Sequence, residues 1–401
     1  MFAASKTGAS GGPTDNKFNY VTLLLNGDGT NGKQNNTFVD GSTNNFTITR
    51  NGTPTQGSFS PYGSLWSNYF SGSSQYLTWT GTALGSGDFT VECWVNASAA
   101  ATNKSMLSST SPNTTAGWAF YLKNGTTPSF YNNAADAVTS SVTIPNNQWV
   151  HVAAVRSGTT LTIYLNGVSV GSGTFTSNLT SNSFYVASDV YSQHLNAYIS
   201  NVRHVVGTAV YTSNFTPSIV PLTAITNTTA LVCNSNYFKD NSSNNFTITT
   251  NGTPSVQRFS PFEPTAAYTP ATTGGSVYNG TKSDNTTVPS TAALTTFAGD
   301  FTLEAWVYPT DTTISSYWTI IDARSSGGTA APWLLALSSY SSGWLLEYFD
   351  GASSKGNIRI KPNTWTHVVM QRNGTTVTFF VNGVVDTTFT KSGTITGGNT
   401  T

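Results

Sequence analysis

Leu161-Thr162-Ile163-Tyr164-Leu165-Asn166-Gly167-Val168-Ser169-Val170 consists of two apolar runs parted by Asn-Gly. Leu161, Ile163 and Leu165 fall on one side of an extended chain and Thr162 and Tyr164 on the other. That period of two marks a strand. Asn-Gly accepts the positive φ angles of a two-residue type I′ turn, so the stretch reads as a hairpin. Val377-Thr378-Phe379-Phe380-Val381, Asn382-Gly383 and Val384-Val385 write the same hairpin again. Upstream, Phe89, Val91, Cys93 and Val95 share one face, while Asp88, Thr90, Glu92 and Trp94 share the other. Helical periodicity is nearly absent. Many short strands with frequent turns describe an all-β chain of antiparallel β-sandwiches.

The hairpin is one member of a longer repeat. Asn44-Asn45-Phe46-Thr47-Ile48-Thr49, Asn51-Gly52-Thr53-Pro54 and Phe59-Ser60-Pro61 recur 200 residues later at Asn244–Thr249, Asn251–Pro254 and Phe259–Pro261. Phe89–Val95 is answered by Phe301–Val307, and Trp149-Val150-His151-Val152 by Trp365-Thr366-His367-Val368. A period near 200 residues is far longer than the roughly 20–50 of a solenoid, so each copy is a domain. The expected organisation is a flexible Gly/Ser/Ala-rich arm at 1–17, a first sandwich at 18–222 and a second at 223–401. Nothing in the second copy matches Phe184–Pro217, so its closing strands are missing. A sandwich without them exposes a core edge and unpaired backbone groups, and the natural chain is expected to continue beyond Thr401.

Only 8% of the 401 residues are charged, with 17 basic and 17 acidic side chains. Ordinary soluble domains carry about 25%, so Ser, Thr, Asn and Gly must supply the solubility. No basic stripe exists to neutralise phosphates, which excludes nucleic acid as a partner. No stretch reaches the roughly 20 apolar residues of a membrane span, which excludes insertion. Cys93 and Cys233 read as small buried hydrophobes rather than a disulfide.

Trp149-x-His151-Val152, Asn166-Gly167 and Ile199-Ser200-Asn201-Val202-Arg203 together resemble the laminin G-like branch of the concanavalin A-like lectin/glucanase superfamily. Phe18–Leu25, Asp240–Phe246 and Gly207–Tyr211 are similar to tandem laminin G-like proteins of tailed, especially marine, bacteriophages. That resemblance implies tandem jelly-roll sandwiches in a virion structural protein, a tail fibre or a capsid or tail appendage. Such a protein is made in the host cytoplasm and resides in the virion. It also implies display of lectin-like domains to a host-surface glycan, contact with other virion proteins through residues 1–17, and a homo-oligomer, with a trimer favoured. Two other readings stand beside it: a bacterial glycan-binding surface protein, and an architectural decoration protein without a ligand.

Glucanases of this superfamily use a Glu-x-Asp-x-x-Glu strand, and none of the 17 carboxylates forms one. Glu347 and Asp350 come nearest, but a spacing of three puts them on opposite faces of a strand. No catalytic residue is assigned and the chain is expected not to be an enzyme. His151 and His367 lack partners at nucleophile or zinc spacing and are expected to be bonded within the sandwich. Glu92 is expected to meet Arg156 or another fixed donor, and Glu304 its counterpart, with Arg372 answering to Arg156. The shared Trp94/Trp306, Trp118/Trp344 and Trp149/Trp365 are expected in the core. Trp66, Trp79, Trp318 and Trp333 occur in one copy only and are the candidate sugar platforms, because pyranose C–H groups stack on ring faces. Calcium is the one candidate cofactor. It needs six to eight oxygens, and Asp28, Asp40 and Asp240 are its candidate ligands.

Overall fold

The computed structural model describes residues 20–25, 38, 40, 42–51, 55–57, 66–257, 276–279, 284–288, 292–314, 317–324, 332–341 and 343–397. The arm at 1–17 and Asp28 lie outside them. Among the described residues strands make up almost all of the regular structure, and one short helix, α1 (Ala292–Thr295), interrupts them. All strand pairs are antiparallel, as the alternating sequence requires.

The chain divides into two units, but the division does not fall at 222/223. One unit is Ser64–Glu263; the other joins residues 1–63 to 264–401. The reason lies in the first sandwich. Its larger sheet runs β12 (Val168–Thr174), β11 (Thr160–Leu165), β10 (Val150–Ser157), β5 (Phe89–Ala97), β14 (Asn196–Val206), β3 (Ser67–Ser71) and β17 (Ser255–Gln257), with β15 (Thr228–Val232) also on β14. The facing sheet runs β16 (Thr249–Asn251), β4 (Tyr76–Thr80), β13 (Ser183–Val186), β6 (Lys104–Ser109), β7 (Ala119–Lys123), β8 (Thr127–Asn132) and β9 (Ala135–Thr139). Three strands from beyond residue 222 therefore complete it. β15 covers the end of β14 that β3 leaves free, β17 covers β3, and β16 covers β4. Unpaired strand edges are costly to bury and prone to stray pairing. The segment 228–257 closes them, and we call it a clasp.

Between the sheets lies a core of inward-facing residues, with Trp118 stacked on Phe130 at 5.6 Å and Phe184, Phe120, Phe89 and Leu77 around them. Truncating such a ring to Ala costs about 3–5 kcal/mol. Cys93 and Cys233 are both buried here as free thiols. Asn166 and Gly167 adopt φ of 48° and 79°, the expected type I′ turn. Gly167 is doubly constrained, since a Cβ built on it would overlap the Phe215 carbonyl oxygen. The turn thereby seats the segment that crosses the outer face of the larger sheet, with the Phe215 N–H donating to the Gly167 carbonyl at 2.9 Å.

The second unit repeats the plan with fewer strands. One sheet is β20 (Phe301–Val307), β25 (Thr366–Asn373), β26 (Thr376–Val381) and β27 (Val384–Thr390). The other is β21 (Trp318–Asp322), β22 (Leu334–Tyr340), β23 (Gly343–Phe349) and β24 (Ser353–Lys355). Trp333, Trp344, Leu346, Met370 and Phe379 fill its core. Where β14 flanks β5 and β13 flanks β6 in the first sandwich, β20 and β21 are edge strands among the described residues. Two ribbons stand apart from these sheets: β1 (Thr49–Asn51) pairs with β19 (Asn285–Thr287), and β2 (Thr55–Gly57) with β18 (Ser276–Tyr278).

His204, on β14, is sealed against Phe184 at 4.8 Å, and its Nδ1 meets the Thr229 hydroxyl of β15 at 2.8 Å. Burial drives its pKa down to about 3, against about 6.5 in an unfolded chain. Between those values the unfolded state holds the extra proton. The stability this group contributes is therefore intact above pH 6.5 and is lost as pH falls toward 3. Urea denaturation between pH 7 and 4.5 should show a loss from this source of about 1.4 kcal/mol per pH unit. His204→Gln should flatten that slope; a slope unchanged by the substitution would contradict it.

Candidate functional site

The repeated charges form a network in the first sandwich, but not through Arg156. Glu92 is completely buried and accepts from Arg203 Nε at 2.8 Å, His151 Nε2 at 2.9 Å and the Tyr211 hydroxyl at 2.9 Å. Burial alone would raise its pKa; the bonds from His151 and the nearby Arg203 charge hold it below the ordinary carboxylate value. Arg156 lies opposite Phe89, three residues from the Ala153 that faces Glu92, and so points the other way. Its guanidinium instead donates to the carbonyls of Gly158 and Ser177 and covers the Phe175 ring. Arg372 does the same in the second unit, with the carbonyls of Gly299, Phe297 and Gly393 and the Phe301 ring. Arg203 reaches Glu92 because β14 bulges: Ser200 faces Trp94, yet Arg203 faces Glu92, so three steps on β14 match two on β5.

His367 donates to Glu304 at 3.1 Å, repeating the His151 bond, and that bond holds the Glu304 carboxyl low. The Glu304 side chain, however, is 52% exposed, where that of Glu92 is 0%. Tyr211 and Phe215, stacked at 3.6 Å, cover the first network. Trp94 and Trp306 are half-buried beside His151 and His367 on this outer face rather than in the core, with ring centroids at 5.3 and 5.2 Å. Trp149 is half-buried and Trp365 buried.

The one-copy tryptophans point inward. Trp66 and Trp333 are 1% exposed and Trp79 6%, and Trp318 packs half-buried against the second core. Rings as enclosed as Trp66 and Trp333 offer no face to a sugar, whereas Trp79 borders a hollow of the smaller sheet and Trp318 stays half-buried. Asp240 holds the clasp in shape, and Asp40 holds a second clasp, the equivalent segment that carries β1 and β2. Asp240 accepts from the N–H groups of Leu231, Ser242 and Phe246 and from the Ser242 hydroxyl. Asp40 accepts from Leu24, Ser42 and Phe46 in the same way. Against the desolvation of its site, these donors hold the Asp40 carboxyl below its ordinary value. Among the described residues no three His, Cys, Asp or Glu side chains converge as a metal site. Glu347 is paired with Lys355 at 3.2 Å, and Asp350 with Lys391.

Half-buried aromatics gather instead on the outer face of the smaller sheet of the first sandwich. One ladder of paired residues crosses it: Thr249, Thr78, Tyr185, Ser108, Ala119 and Tyr131. Their sequence neighbours Leu77, Phe184, Leu107, Phe120 and Phe130 fill the core, so alternation turns the ladder outward. Tyr185 lies 5.9 Å from Tyr76, and His194 stacks on Tyr76 at 5.6 Å. The loop bearing His194 is prebuilt: Asp189 accepts from the N–H groups of Tyr191 and Gln193, and the Ser188 hydroxyl meets His194 Nδ1 at 2.9 Å. Burial lowers the His194 pKa against the pull of Asp189, which leaves the ring neutral near pH 7.

Two hollows flank these rings. One, of about 630 Å3, is lined by Thr78, Thr110, Ser183, Tyr185, Thr247 and Thr249 among others. The second, of about 470 Å3, is lined by Thr102, Asn103, Lys104, Asn124, Ser192 and Gln193 among others. In the first, Thr and Ser hydroxyls share the lining with Trp79, Phe184, Tyr185 and Phe246; in the second, hydroxyls and amides dominate, and Lys104 is the one charged residue in either lining. The second unit does not repeat this face. Asn285 stands where Tyr76 does in the equivalent pairing.

A family model for the concanavalin A-like lectin/glucanases superfamily, of laminin G type, matches residues 71–208 and 279–401. The chain belongs to that superfamily. No curated protein matches it in sequence. Among solved structures it is similar to a candidate carbohydrate binding protein from Bacteroides ovatus, with 15% identity and a TM-score of 0.39. That match covers 49% of this chain and 61% of that one, so the chain spans under two thirds of that protein. It is similar to a heptameric pentraxin from Limulus polyphemus, with 13% identity, 47% and 94% coverage and a TM-score of 0.33. It is also similar to domain 4 of an extracellular arabinanase from Geobacillus stearothermophilus, solved with arabinotriose, with 19% identity, 43% and 87% coverage and a TM-score of 0.31.

The two glutamates of this superfamily scaffold should respond unequally. Glu92→Gln leaves Arg203 buried without its counter-charge and should cost about 3–5 kcal/mol in urea denaturation. Glu304→Gln, at an exposed pair, should cost under about 1 kcal/mol. Equal losses would show that burial does not set the difference.

Proposed function

We propose that this chain is a non-enzymatic structural protein of a phage virion, a tail fibre or a capsid or tail appendage, that holds a glycan on its first sandwich. The observation that carries the glycan reading is the Tyr76–Tyr185–His194 face, with rings 5.9 and 5.6 Å apart between hollows lined mostly by neutral polar groups. A pyranose laid on Tyr185 gains contact between its C–H face and the ring. Its hydroxyls then meet Thr78, Ser183 and Thr249 on one side and Lys104, Asn103 and Gln193 on the other. Linings with Lys104 as their one charged residue favour neutral sugars over strongly charged ones. Several weak sites of this kind gain avidity when copies are displayed together. The virion reading rests on the phage-like phrases at Phe18–Leu25, Asp240–Phe246 and Gly207–Tyr211, and residues 1–17 are the proposed link to other virion proteins.

A glycan array followed by calorimetry on the best neutral oligosaccharide tests the binding role. Tyr185→Ala should weaken binding at least tenfold, about 1.4 kcal/mol, with the thermal midpoint little changed because Tyr185 lies outside the core cluster. Binding that survives both Tyr185→Ala and Tyr76→Ala would sink this site. Antibody labelling of purified particles tests virion residence separately.

A further inference from the structure

Strand registers place the three rings and the two hollows of the smaller sheet in one row. Ser183 faces Thr80, Tyr185 faces Thr78 on one side and Ser108 on the other, and Val186 faces Leu77 and Leu107. The Thr110 N–H donates to the Ser183 carbonyl, so Thr110 is level with Ser183. One step past Val186, the Ala187 N–H donates to the Met106 carbonyl, level with Tyr76. Along β6 the order is therefore Thr110 and Ser183 in one hollow, then Tyr185, then Tyr76 with His194 stacked on it, then Lys104 and Gln193 in the other hollow. Gln193 is fixed there by its carbonyl, which accepts the Ser105 N–H at 3.0 Å. From Thr110 to Lys104 is 110 − 104 = 6 residue steps, roughly 20 Å of strand at about 3.3 Å per step.

The row is open along the strands and blocked across them. Next to Tyr185 across the sheet, Ser108 and Ala119 are buried, and the Ser108 hydroxyl donates at 2.9 Å to the Ser188 carbonyl of the loop that carries His194. A ligand laid crosswise meets that loop, whereas one laid lengthwise meets ring after ring. On the opposite flank the clasp contributes Phe246, Thr247 and Thr249. Phe246 is seated on Gly81, where a Cβ would come within 2.8 Å of its ring. Tyr76, Tyr185 and His194 are half-buried, so each keeps surface for the C–H face of a sugar. Sugars joined in one chain add such contacts without repeating the translational and rotational cost of association.

Resting on the glycan reading of this same face, we propose that the row binds a linear neutral oligosaccharide lengthwise, parallel to the strands. Its middle sugars lie on Tyr185 and Tyr76 and its ends reach the two hollows, so several consecutive sugars are recognised rather than one terminal residue. Calorimetry on the full-length chain tests this with cello-, manno-, xylo-, galacto- and chito-oligosaccharides, each run from disaccharide to octasaccharide. In a series that binds, affinity should rise at least tenfold from disaccharide to hexasaccharide and level off beyond it. Thr80→Ala and Gln193→Ala, at opposite ends of the row, should each remove at least fivefold of the hexasaccharide affinity. Both should leave disaccharide affinity and the thermal midpoint unchanged. A disaccharide that binds as tightly as the hexasaccharide, or a hexasaccharide indifferent to either substitution, overturns lengthwise binding while the glycan reading stands. A chain that binds no member of any series overturns both.

Discussion

The strand edge is the constraint on which the rest of this molecule depends. Backbone N–H and C=O groups along an edge need partners, and an uncovered edge invites stray pairing. In the first sandwich, β14 is the hub: it pairs with β5 along one side and is shared between β3 and β15 along the other. With β14 in place, β5 is buried on both faces, Glu92 can be fully enclosed, and the segment carrying Tyr211 and Phe215 can cross the outer face. The second unit shows the reverse. β20 keeps the same register with β25 that β5 keeps with β10, yet it stands at an edge among the described residues and Glu304 is half open.

The same contrast explains why the Tyr76–Tyr185–His194 face occurs in one unit only among the described residues. Tyr185 and His194 come from β13 and the loop after it, elements with no described counterpart in the second unit. Tyr76 sits on β4, and the matching β19 carries Asn285. The scaffold demands none of these three side chains, since each turns away from the core. Duplication thus leaves one copy's outer face free to diverge while the inner faces of both copies remain committed to packing.

Much of this could be read from the residues. Period-two alternation, both Asn-Gly turns and the His–Trp neighbourhoods follow from spacing that the backbone translates directly. Three features do not. Repeat phrases mark where similarity starts, and here similarity starts with the clasp that ends a sandwich, so the expected boundary at 222/223 is displaced. Arg203 was visible as part of a motif, but its pairing with Glu92 depends on a bulge that shifts β14 by one residue, and no local pattern announces a bulge. The tyrosine face leaves no mark in the sequence, because Tyr76 and Tyr185 stand in strands whose alternation is set by the core residues beside them. Trp66, Trp79 and Trp333 are unshared because the two cores are packed differently, whereas Tyr76 is unshared because it lies on the outer face, away from the core.

Low charge gives the clasp its importance. Proteins commonly guard sheet edges with lysine or other charges, and this chain has few: of the four strands that end the two sheets of the first sandwich, β12, β16 and β17 contain none, and β9 carries Asp136, paired with Lys123. Protection must come from other devices. β12 uses glycine and a register shift against β11, which twists the edge away from a flat partner. β3 and β4 are instead capped by the short strands β17 and β16, each only three residues long, which leaves little edge for anything further to pair with. A neutral chain can remain free of indiscriminate pairing in this way only if its edge contacts are specific, and the matched registers of the two clasps are how that specificity is written.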